Sequence, residues 1–365
     1  MTFLINPLKG RGIPDGPDLA QGEVETSPNA AIALYARCPR AAATPLVSPV
    51  GLADRLGVDE LSVKDERGRM GLGSFKALGA AHAIAKAAAK RVADGDAPDL
   101  EAALSAETYI CASAGNHGLS VAAGARIFGA TAVIYLSETV PESFAKRLRA
   151  KGADVVREGE TYEASMAAAA NAAEDNGWNL LSDSSWVGYT EPARDVMEGY
   201  LILGDEAVRQ MSTPQMSTPP THVFLQAGVG GLAAAGTATV RTNWGKNVKI
   251  IVVEPEAAPA LLESVRAGRP VTTQGPVSNM GRLDCKEPSH LALKYLAREA
   301  DAFMTISDDE AIETVGMLKA FGLDTSPSGG AGIAGLHHLG DHAGEIGIDE
   351  ASRVLTILSE GPADE

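Results

Sequence analysis

A lysine in the segment GLGSFKALGAA (71–81) is the side chain of this sequence best placed for covalent chemistry. Lys76 lies where a glycine-rich loop passes into an alanine-rich stretch, which predicts a position at the start of a helix. Because the positive end of a helix dipole disfavours an ammonium group, we expect the pKa of Lys76 to be lowered. A neutral amine of this kind can form a Schiff base with an aldehyde. Taken alone, the same segment also fits an ordinary surface lysine.

A second segment, CASAGNHGLSVAAGA (111–125), reads as a strand, a tight polar turn and a helix. Asn116 and His117 occupy the turn between two glycines, which allow a ligand to approach the backbone closely. The Asn116 amide can donate to a phenolate or carboxylate oxygen. His117 fits a ligand contact or a histidine that merely stabilises the turn.

The third segment is a glycine-rich loop, QAGVGGLAAAG (226–236), between a predicted strand and a predicted helix. Consecutive backbone N–H groups at a helix N-terminus form a phosphate cradle. Gly228, Gly230 and Ala233 also match G-x-G-x-x-A, and Glu254 ends the next strand, as in dinucleotide-binding proteins. The segment therefore predicts phosphate binding and leaves the identity of the cofactor open.

The fourth segment, LTILSEG (355–361), places Ser359 at the carboxyl end of a predicted strand, where ligands bind in α/β proteins. This strand is mostly apolar, so we expect it at the centre of a sheet. Taken alone, this segment is also compatible with Ser359 being a polar residue that contacts no ligand.

Alternating strands and helices from Leu61 onwards must position these segments, and they predict an α/β fold with parallel sheet. Residues 1–45 show little periodicity and predict an irregular arm, and the repeat QMSTPQMSTPP (210–220) predicts a loop. The predicted strands are 61–66, 108–113, 131–137, 153–159, 178–183, 222–228, 248–255 and 352–361. The predicted helices are 74–95, 115–129, 141–153, 162–177, 231–245, 306–322 and 329–344.

Composition narrows the classes of function. The chain has 365 residues and a net charge of -16, which argues against nucleic acids and anionic membranes as partners. Cys38, Cys111 and Cys285 are far apart, without metal-ligand spacing, so we expect reduced thiols and no metal site. With neither a signal-peptide pattern nor a long apolar run, the sequence predicts a soluble cytoplasmic protein.

In this order the four segments resemble the fold-type-II pyridoxal-phosphate family, the tryptophan synthase β-like group. Within it, the resemblance is to the diaminopropionate ammonia-lyases, and it includes ATPLVSPVGLADRLGV (43–58), LSDSSWVGYTEPARDVMEGY (181–200) and IIVVEPEAA (250–258). The resemblance implies pyridoxal 5'-phosphate as cofactor and two open, mostly parallel sheets covered by helices. It also implies a large domain of residues 1–77 and 205–365, a small domain of residues 78–204, and a homodimer.

The resemblance also implies a role for each site residue. Lys76 would be the Schiff-base lysine and the base at Cα, and Asp183 would bind or deprotonate a second amino group on the substrate. The residues implied to bind the cofactor are Lys76, Asn116 at the ring hydroxyl, Ser359 at the pyridine nitrogen, and Gly228, Val229, Gly230, Gly231 and Leu232 at the phosphate. The residues implied to contact the substrate are Ser113, Ala114, Gly115, His117 and Asp183.

The implied reaction is α,β-elimination on a small L-amino acid, with 2,3-diaminopropionate giving pyruvate and two ammonia. Two departures keep the leaving group open. Ala114 stands where the lyases carry an aspartate linked to the D-isomer, so we expect D-substrates to be poor, and SAGNHG is similar to the serine/threonine dehydratases. TSPSGGAG (325–332) has Ser326 or Ser328 in place of an acidic residue.

Three alternatives remain at this point. The first is a dehydratase of a β-hydroxy amino acid of the serine, threonine, 3-hydroxyaspartate or phenylserine type. The second is a nicotinamide-dependent dehydrogenase that uses the 226–236 loop and Glu254. The third is a pyridoxal-phosphate carrier without catalytic activity.

Overall fold

The computed structural model describes residues 1–113, 115–212 and 218–362, and it contains two sheets with covering helices. The strands are β1 (Phe3–Ile5), β2 (Leu46–Val47), β3 (Glu60–Asp65), β4 (Thr108–Ala112), β5 (Thr131–Leu136), β6 (Asp154–Arg157), β7 (Asn179–Leu180), β8 (His222–Gln226), β9 (Lys249–Pro255), β10 (Ala302–Ile306) and β11 (Arg353–Leu358).

The helices follow the strands in alternation over most of the chain. They are α1 (Asn29–Tyr35), α2 (Leu52–Leu56), α3 (Gly79–Ala93), α4 (Asn116–Ile127), α5 (Glu142–Ala150), α6 (Tyr162–Asn176), α7 (Glu191–Met211), α8 (Gly231–Trp244), α9 (Ala260–Ala267), α10 (His290–Glu299), α11 (Asp308–Ala320), α12 (Pro327–His337) and α13 (Ala343–Ile346). Three short 3-10 helices cover Glu66–Gly71, Phe75–Leu78 and Gly340–His342. No helix among the described residues combines the length and the apolar character needed to cross a membrane.

The larger sheet has seven strands in the order β1-β10-β9-β8-β11-β3-β2, and the smaller has four in the order β6-β5-β4-β7. The smaller sheet is parallel throughout, and the larger is parallel except for the antiparallel edge strands β1 and β2. Strand β11 lies between β8 and β3, so the expectation that the last strand is central is confirmed. The α/β prediction is confirmed as well.

Helix α7 packs closely against both α3 and α8. A Cβ atom on Gly199 would lie 2.3 Å from the carbonyl oxygen of Leu78, and one on Gly204 would lie 2.2 Å from the Thr239 hydroxyl oxygen. Both glycines are therefore required by the close approach of neighbouring elements rather than by backbone conformation. Because α3 follows Lys76 and α8 follows the glycine-rich loop, α7 fixes these two site segments relative to each other.

A buried ion network anchors the chain just before Lys76. Arg69 has no exposed surface, and its guanidinium donates to the carboxylates of Glu66 at 2.7 Å and Glu206 at 2.6 Å. Lys64 on β3 donates to the same Glu206 carboxylate at 2.7 Å. The network therefore connects β3 and the Glu66–Gly71 turn to α7, and it holds the start of the Lys76 segment.

Several elements differ from the sequence predictions. The arm over residues 1–45 is not wholly irregular, because β1 pairs with β10 and α1 forms a two-turn helix. The predicted helix 74–95 divides into a 3-10 turn and α3, and the predicted strand 178–183 shrinks to Asn179–Leu180. Helix α7 reaches Met211 inside the predicted 210–220 loop, of which residues 213–217 lie outside the described part of the chain.

Candidate active site

Lys76 lies in the 3-10 helix Phe75–Leu78, directly before α3 and beside the carboxyl end of β11. The Phe75 N–H donates to the carbonyl oxygen of Ser359 at 3.0 Å, and Ser74 forms a β-bridge with Glu360. The Lys76 backbone is thereby tied to the Ser359 segment. Two of the four segments singled out in the sequence are in direct contact.

The ammonium group of Lys76 forms an ion pair with the carboxylate of Asp183, and about a fifth of each side chain is exposed, 19% and 21%. Burial alone would lower the pKa of Lys76, but the adjacent Asp183 charge outweighs it and the pKa is raised. The prediction of a lowered pKa was therefore wrong. It considered only a helix dipole, whereas Lys76 precedes α3 and has a carboxylate beside it.

Asp183 lies in the loop after β7, and its charge is stabilised chiefly by Lys76. Burial would raise the pKa of this carboxyl, but the Lys76 charge counteracts burial and holds it well below its usual range. Asp183 is therefore ionised at neutral pH.

His117 connects α4 to the chain that leads to Asp183. Its Nε2–H donates to the carbonyl oxygen of Leu181 at 2.8 Å, and burial lowers the pKa of the ring, so the imidazole is neutral at pH 7. Nδ1 is buried and has no hydrogen-bond partner within the described residues. One ring nitrogen thus stabilises the loop, and the other is available to a ligand.

Asn116 is the first residue of α4, and its side-chain amide donates to the carboxylate of Glu360. The Ser326 hydroxyl donates to the other oxygen of the same carboxylate, and burial raises the pKa of Glu360. Sequence reasoning missed Glu360, although it directly follows Ser359. Glu360 places a carboxyl group beside the 325–332 segment, because the Ser326 hydroxyl donates to it.

The glycine-rich loop joins β8 to the N-terminus of the 14-residue helix α8. Gly230 has a φ of 103°, and a Cβ atom on it would lie 3.0 Å from the Cβ of Ala292, so both conformation and space favour glycine. Within the described residues, no acceptor takes a hydrogen bond from the N–H groups of Gly228, Gly230, Gly231 or Leu232. The loop therefore presents free donors at a positive helix end, which fits a phosphate group.

Glu254 has no exposed surface, and both its carboxylate oxygens are occupied. They accept the N–H groups of Leu261 at 2.7 Å and Leu262 at 2.8 Å, at the start of α9. Burial raises the pKa of Glu254 to about 8. The hypothesis that Glu254 binds the ribose of a dinucleotide was therefore wrong, because this carboxylate holds α9 inside the core.

An irregular segment between α9 and α10 closes the site from another side. Cys285 packs on the phosphate loop, since a Cβ atom on Gly228 would lie 3.0 Å from its Sγ, and burial raises the pKa of the thiol to about 12. Cys285 thus packs on the backbone of the glycine-rich loop, a contact that no periodic pattern in the sequence indicates.

The Asp183 loop is also attached to the phosphate loop. Ser185 and Ser289 share a buried hydrogen bond of 2.7 Å between their hydroxyl oxygens, and the Ser289 N–H donates to the carbonyl oxygen of Val229 at 2.9 Å. In the turn before α4, Ser113 Oγ accepts the Gly115 N–H at 3.3 Å. Ala114, the remaining predicted substrate contact, lies outside the described residues.

Comparison with known proteins places this arrangement in a family. The family model described as "Pyridoxal-phosphate dependent enzyme" matches residues 39–360. This chain belongs to that family. The free N–H donors of the loop and the pocket lysine fit the phosphate and the aldehyde of the cofactor, and the cofactor prediction is confirmed.

Relatives of this pyridoxal-phosphate enzyme include ammonia-lyases. It is 31% identical to diaminopropionate ammonia-lyase of Salmonella typhimurium over 90% of this chain and 88% of that protein. The crystal structure of the Escherichia coli diaminopropionate ammonia-lyase in complex with D-serine has 28% identity, a TM-score of 0.86, and coverage of 99% of this chain and 93% of that one. Threonine deaminase isoform 2 from Solanum lycopersicum, at 22% identity, a TM-score of 0.74 and coverage of 96% of both chains, shows the shared fold. The fold-type-II prediction is confirmed.

Proposed function

We propose that this chain is a carbon–nitrogen lyase that removes the β-substituent of a small L-amino acid, with L-2,3-diaminopropionate as its substrate. The observation that carries the proposal is the partly buried pair of Lys76 and Asp183, an amine and a carboxylate in contact. The similarity to diaminopropionate ammonia-lyases over most of the chain supports the same substrate.

The cofactor-binding roles belong to this proposal. Lys76 Nζ would hold the aldehyde carbon, and the N–H groups of the Gly228–Leu232 loop, Val229 included, would hold the phosphate. Asn116 would bond the ring hydroxyl, and Ser359 would face the pyridine nitrogen without enforcing its protonation. When bound, pyridoxal phosphate makes the Cα–H bond of the attached amino acid acidic by accepting electron density.

In the proposed chemistry, Lys76 moves one proton and Asp183 binds one charged group of the substrate. Lys76 Nζ, as a free amine, takes the Cα proton, and the Cβ–N bond breaks with its electron pair on the departing ammonia. The unsaturated amino acid that is released takes up water and gives pyruvate and a second ammonia. Asp183, ionised because its pKa is lowered, binds the second ammonium of the substrate.

The substrate carboxylate is assigned to the turn before α4, with Ser113, Ala114, Gly115 and His117 as its contacts. The support from the described residues is that the turn opens the 12-residue helix α4. Because Lys76 is left as the base for the Cα proton, the proposal includes a preference for L-substrates over D-substrates.

A second candidate is the dehydration of a β-hydroxy amino acid. The SAGNHG turn favours it, and Asp183 can accept a hydrogen bond from a substrate hydroxyl as well as from an ammonium group. The two reactions differ in product ratio, since a hydroxy amino acid yields a single ammonia per keto acid.

The test is a substrate panel with purified holoenzyme. L- and D-2,3-diaminopropionate, L-serine, L-threonine and L-3-hydroxyaspartate are supplied separately, and keto acid and ammonia are both quantified. We expect L-diaminopropionate to be consumed fastest, with two ammonia per pyruvate, and its D-isomer to react poorly. Faster turnover of a hydroxy amino acid, with one ammonia per keto acid, would replace the proposal with the dehydratase.

The proposal extends to organisation in the cell. We place the enzyme in the cytoplasm as a homodimer, with a large domain of residues 1–77 and 205–365 and a small domain of residues 78–204. All four strands of the smaller sheet lie within residues 108–180, which supports this division. Sedimentation equilibrium of the holoenzyme tests the dimer, and a monomer at micromolar concentration would contradict it.

A further inference from the structure

The guanidinium group of Arg282 lies on the turn that precedes α4. A Cβ atom on Gly115 would be 3.1 Å from its Nη1 and 3.2 Å from its Cζ, so the side chain packs closely on the backbone of this glycine. Cζ is 5.6 Å from the centroid of the Phe144 ring, and the Arg282 backbone N–H donates to the Ser328 hydroxyl at 3.1 Å. The side chain is thus held at the turn to which the substrate carboxylate is assigned.

The charge of Arg282 is only partly compensated. The nearest carboxylate oxygen is Glu360 Oε2, 3.9 Å from Nε, and the two oxygens of Glu360 already accept hydrogen bonds from Asn116 and Ser326. Within the described residues the guanidinium donates no hydrogen bond, and 35% of the side chain is exposed. A planar set of charged donors is therefore accessible to a ligand at this turn.

The opposite charges of the pocket belong to separate groups of residues. Asp183 is paired with Lys76 and lies near His117, whereas Arg282 lies against Gly115 and Glu360. A guanidinium matches a carboxylate in shape as well as in charge, because two parallel N–H groups can meet its two oxygens. The chain therefore presents a cation for a carboxylate and an anion for an ammonium group.

We propose that Arg282 binds the α-carboxylate of the substrate and, with Asp183, fixes the orientation of the substrate in the pocket. This inference rests on the proposed function in taking an α-amino acid as the ligand, with its carboxylate at the turn before α4 and its second ammonium group at Asp183. It also implies a substrate class. An amino acid with a second cationic group is accepted because this group lies beside the Asp183 carboxylate, and an amino acid with a second carboxylate there is repelled. Substrates of the 3-hydroxyaspartate type are therefore disfavoured.

The test uses ligands that have no leaving group, so it does not depend on which elimination the enzyme performs. Binding of L-alanine and of ethylamine, which lacks the carboxylate, is measured from the change in visible absorbance of the holoenzyme. Since a charge-assisted hydrogen bond contributes roughly 1.5–3 kcal/mol, Arg282→Gln is expected to weaken L-alanine binding about 10- to 150-fold. Ethylamine binding to Arg282→Gln is expected to stay unchanged. The L-alanine affinity of Arg282→Lys is expected to lie between those of the wild type and Arg282→Gln.

The matched control is Arg269→Gln, which removes the same charge from an exposed position. It should leave both affinities unchanged. Equal weakening of L-alanine and ethylamine in Arg282→Gln, or no weakening of either, would overturn the proposal, and so would a wild-type enzyme that binds both ligands equally. With a substrate found active in the panel, Arg282→Gln should raise KM far more than it lowers kcat, which a merely structural role would not produce.

Discussion

Replacing Asp183 with Asn removes the charge that holds the proton on Lys76. Two unit charges about 4 Å apart, at an effective dielectric constant of about 20, interact by roughly 4 kcal/mol, which corresponds to about 3 pKa units. Burial, which lowers the pKa of Lys76, then acts without its main opponent. We therefore expect the pKa of Lys76 in the Asp183→Asn apoprotein to fall by about 3 units.

Capture of the cofactor by apoprotein reports this shift, because only the neutral amine attacks an aldehyde. Apoprotein is mixed with pyridoxal phosphate across a pH series, and the growth of visible absorbance gives the rate. The rate profile of Asp183→Asn should lie about 3 pH units below that of the wild type, so capture at neutral pH should be faster by up to about a thousandfold. Turnover of L-diaminopropionate should nevertheless decrease, because the carboxylate for the second ammonium is gone.

The control is Asp195→Asn, which makes the same substitution in another lysine–aspartate pair. Asp195 accepts a hydrogen bond from Lys86 at 2.7 Å on the outer part of α7, away from the pocket. Its capture profile should match the wild type. A profile for Asp183→Asn that coincides with the wild type would refute the view that Asp183 controls the protonation of Lys76.

Three further predictions concern residues that support the site. Burial raises the pKa of Glu254 from 4.5 to about 8, so the unfolded state loses this proton first and wild-type stability falls as pH rises through that window, by up to about 5 kcal/mol. In denaturant unfolding, the unfolding free energy of Glu254→Gln relative to that of the wild type should therefore be higher at pH 8.5 than at pH 5. The variant should keep the visible cofactor spectrum. Ser185→Ala leaves the buried hydroxyl of Ser289 and the N–H of Leu291 without their partner. It should lower the unfolding free energy by roughly 1–3 kcal/mol and raise KM. Stability equal to that of the wild type would show that these hydrogen bonds are dispensable. Gly230→Ala forces a positive φ on alanine and should lower the unfolding free energy by about 1–3 kcal/mol. It should also weaken pyridoxal-phosphate binding in equilibrium dialysis, and an unchanged affinity would argue against the loop as the phosphate site.

Some of this site could be predicted from local sequence and some could not. The Lys76 turn, the Asn116 turn and the glycine-rich loop carry local signals, because each needs glycines beside a strand or helix end. The Lys76–Asp183 pair joins residues 107 positions apart, so the sign of the Lys76 pKa shift depended on a tertiary contact. Glu254 was misassigned because its position at a strand end does not tell which backbone N–H groups it meets.

The elements that were missed have similar causes. Helix α7 contains Gly199 and Gly204, which weaken a helical pattern but are required by its packing against α3 and α8. Strand β1 has three residues and exists through its pairing with β10. Arg282 and Cys285 lie in a segment without regular structure, where no periodicity marks the residues that face the site.

The central claim is that Lys76 carries the cofactor. Reduction of the purified holoenzyme with borohydride, followed by proteolysis and mass spectrometry, locates the lysine that holds pyridoxal phosphate. We expect a yellow protein that bleaches on reduction, a phosphopyridoxyl group on Lys76, and no label in Lys76→Ala. A label on any other lysine, or a protein that takes up no pyridoxal phosphate, would contradict it.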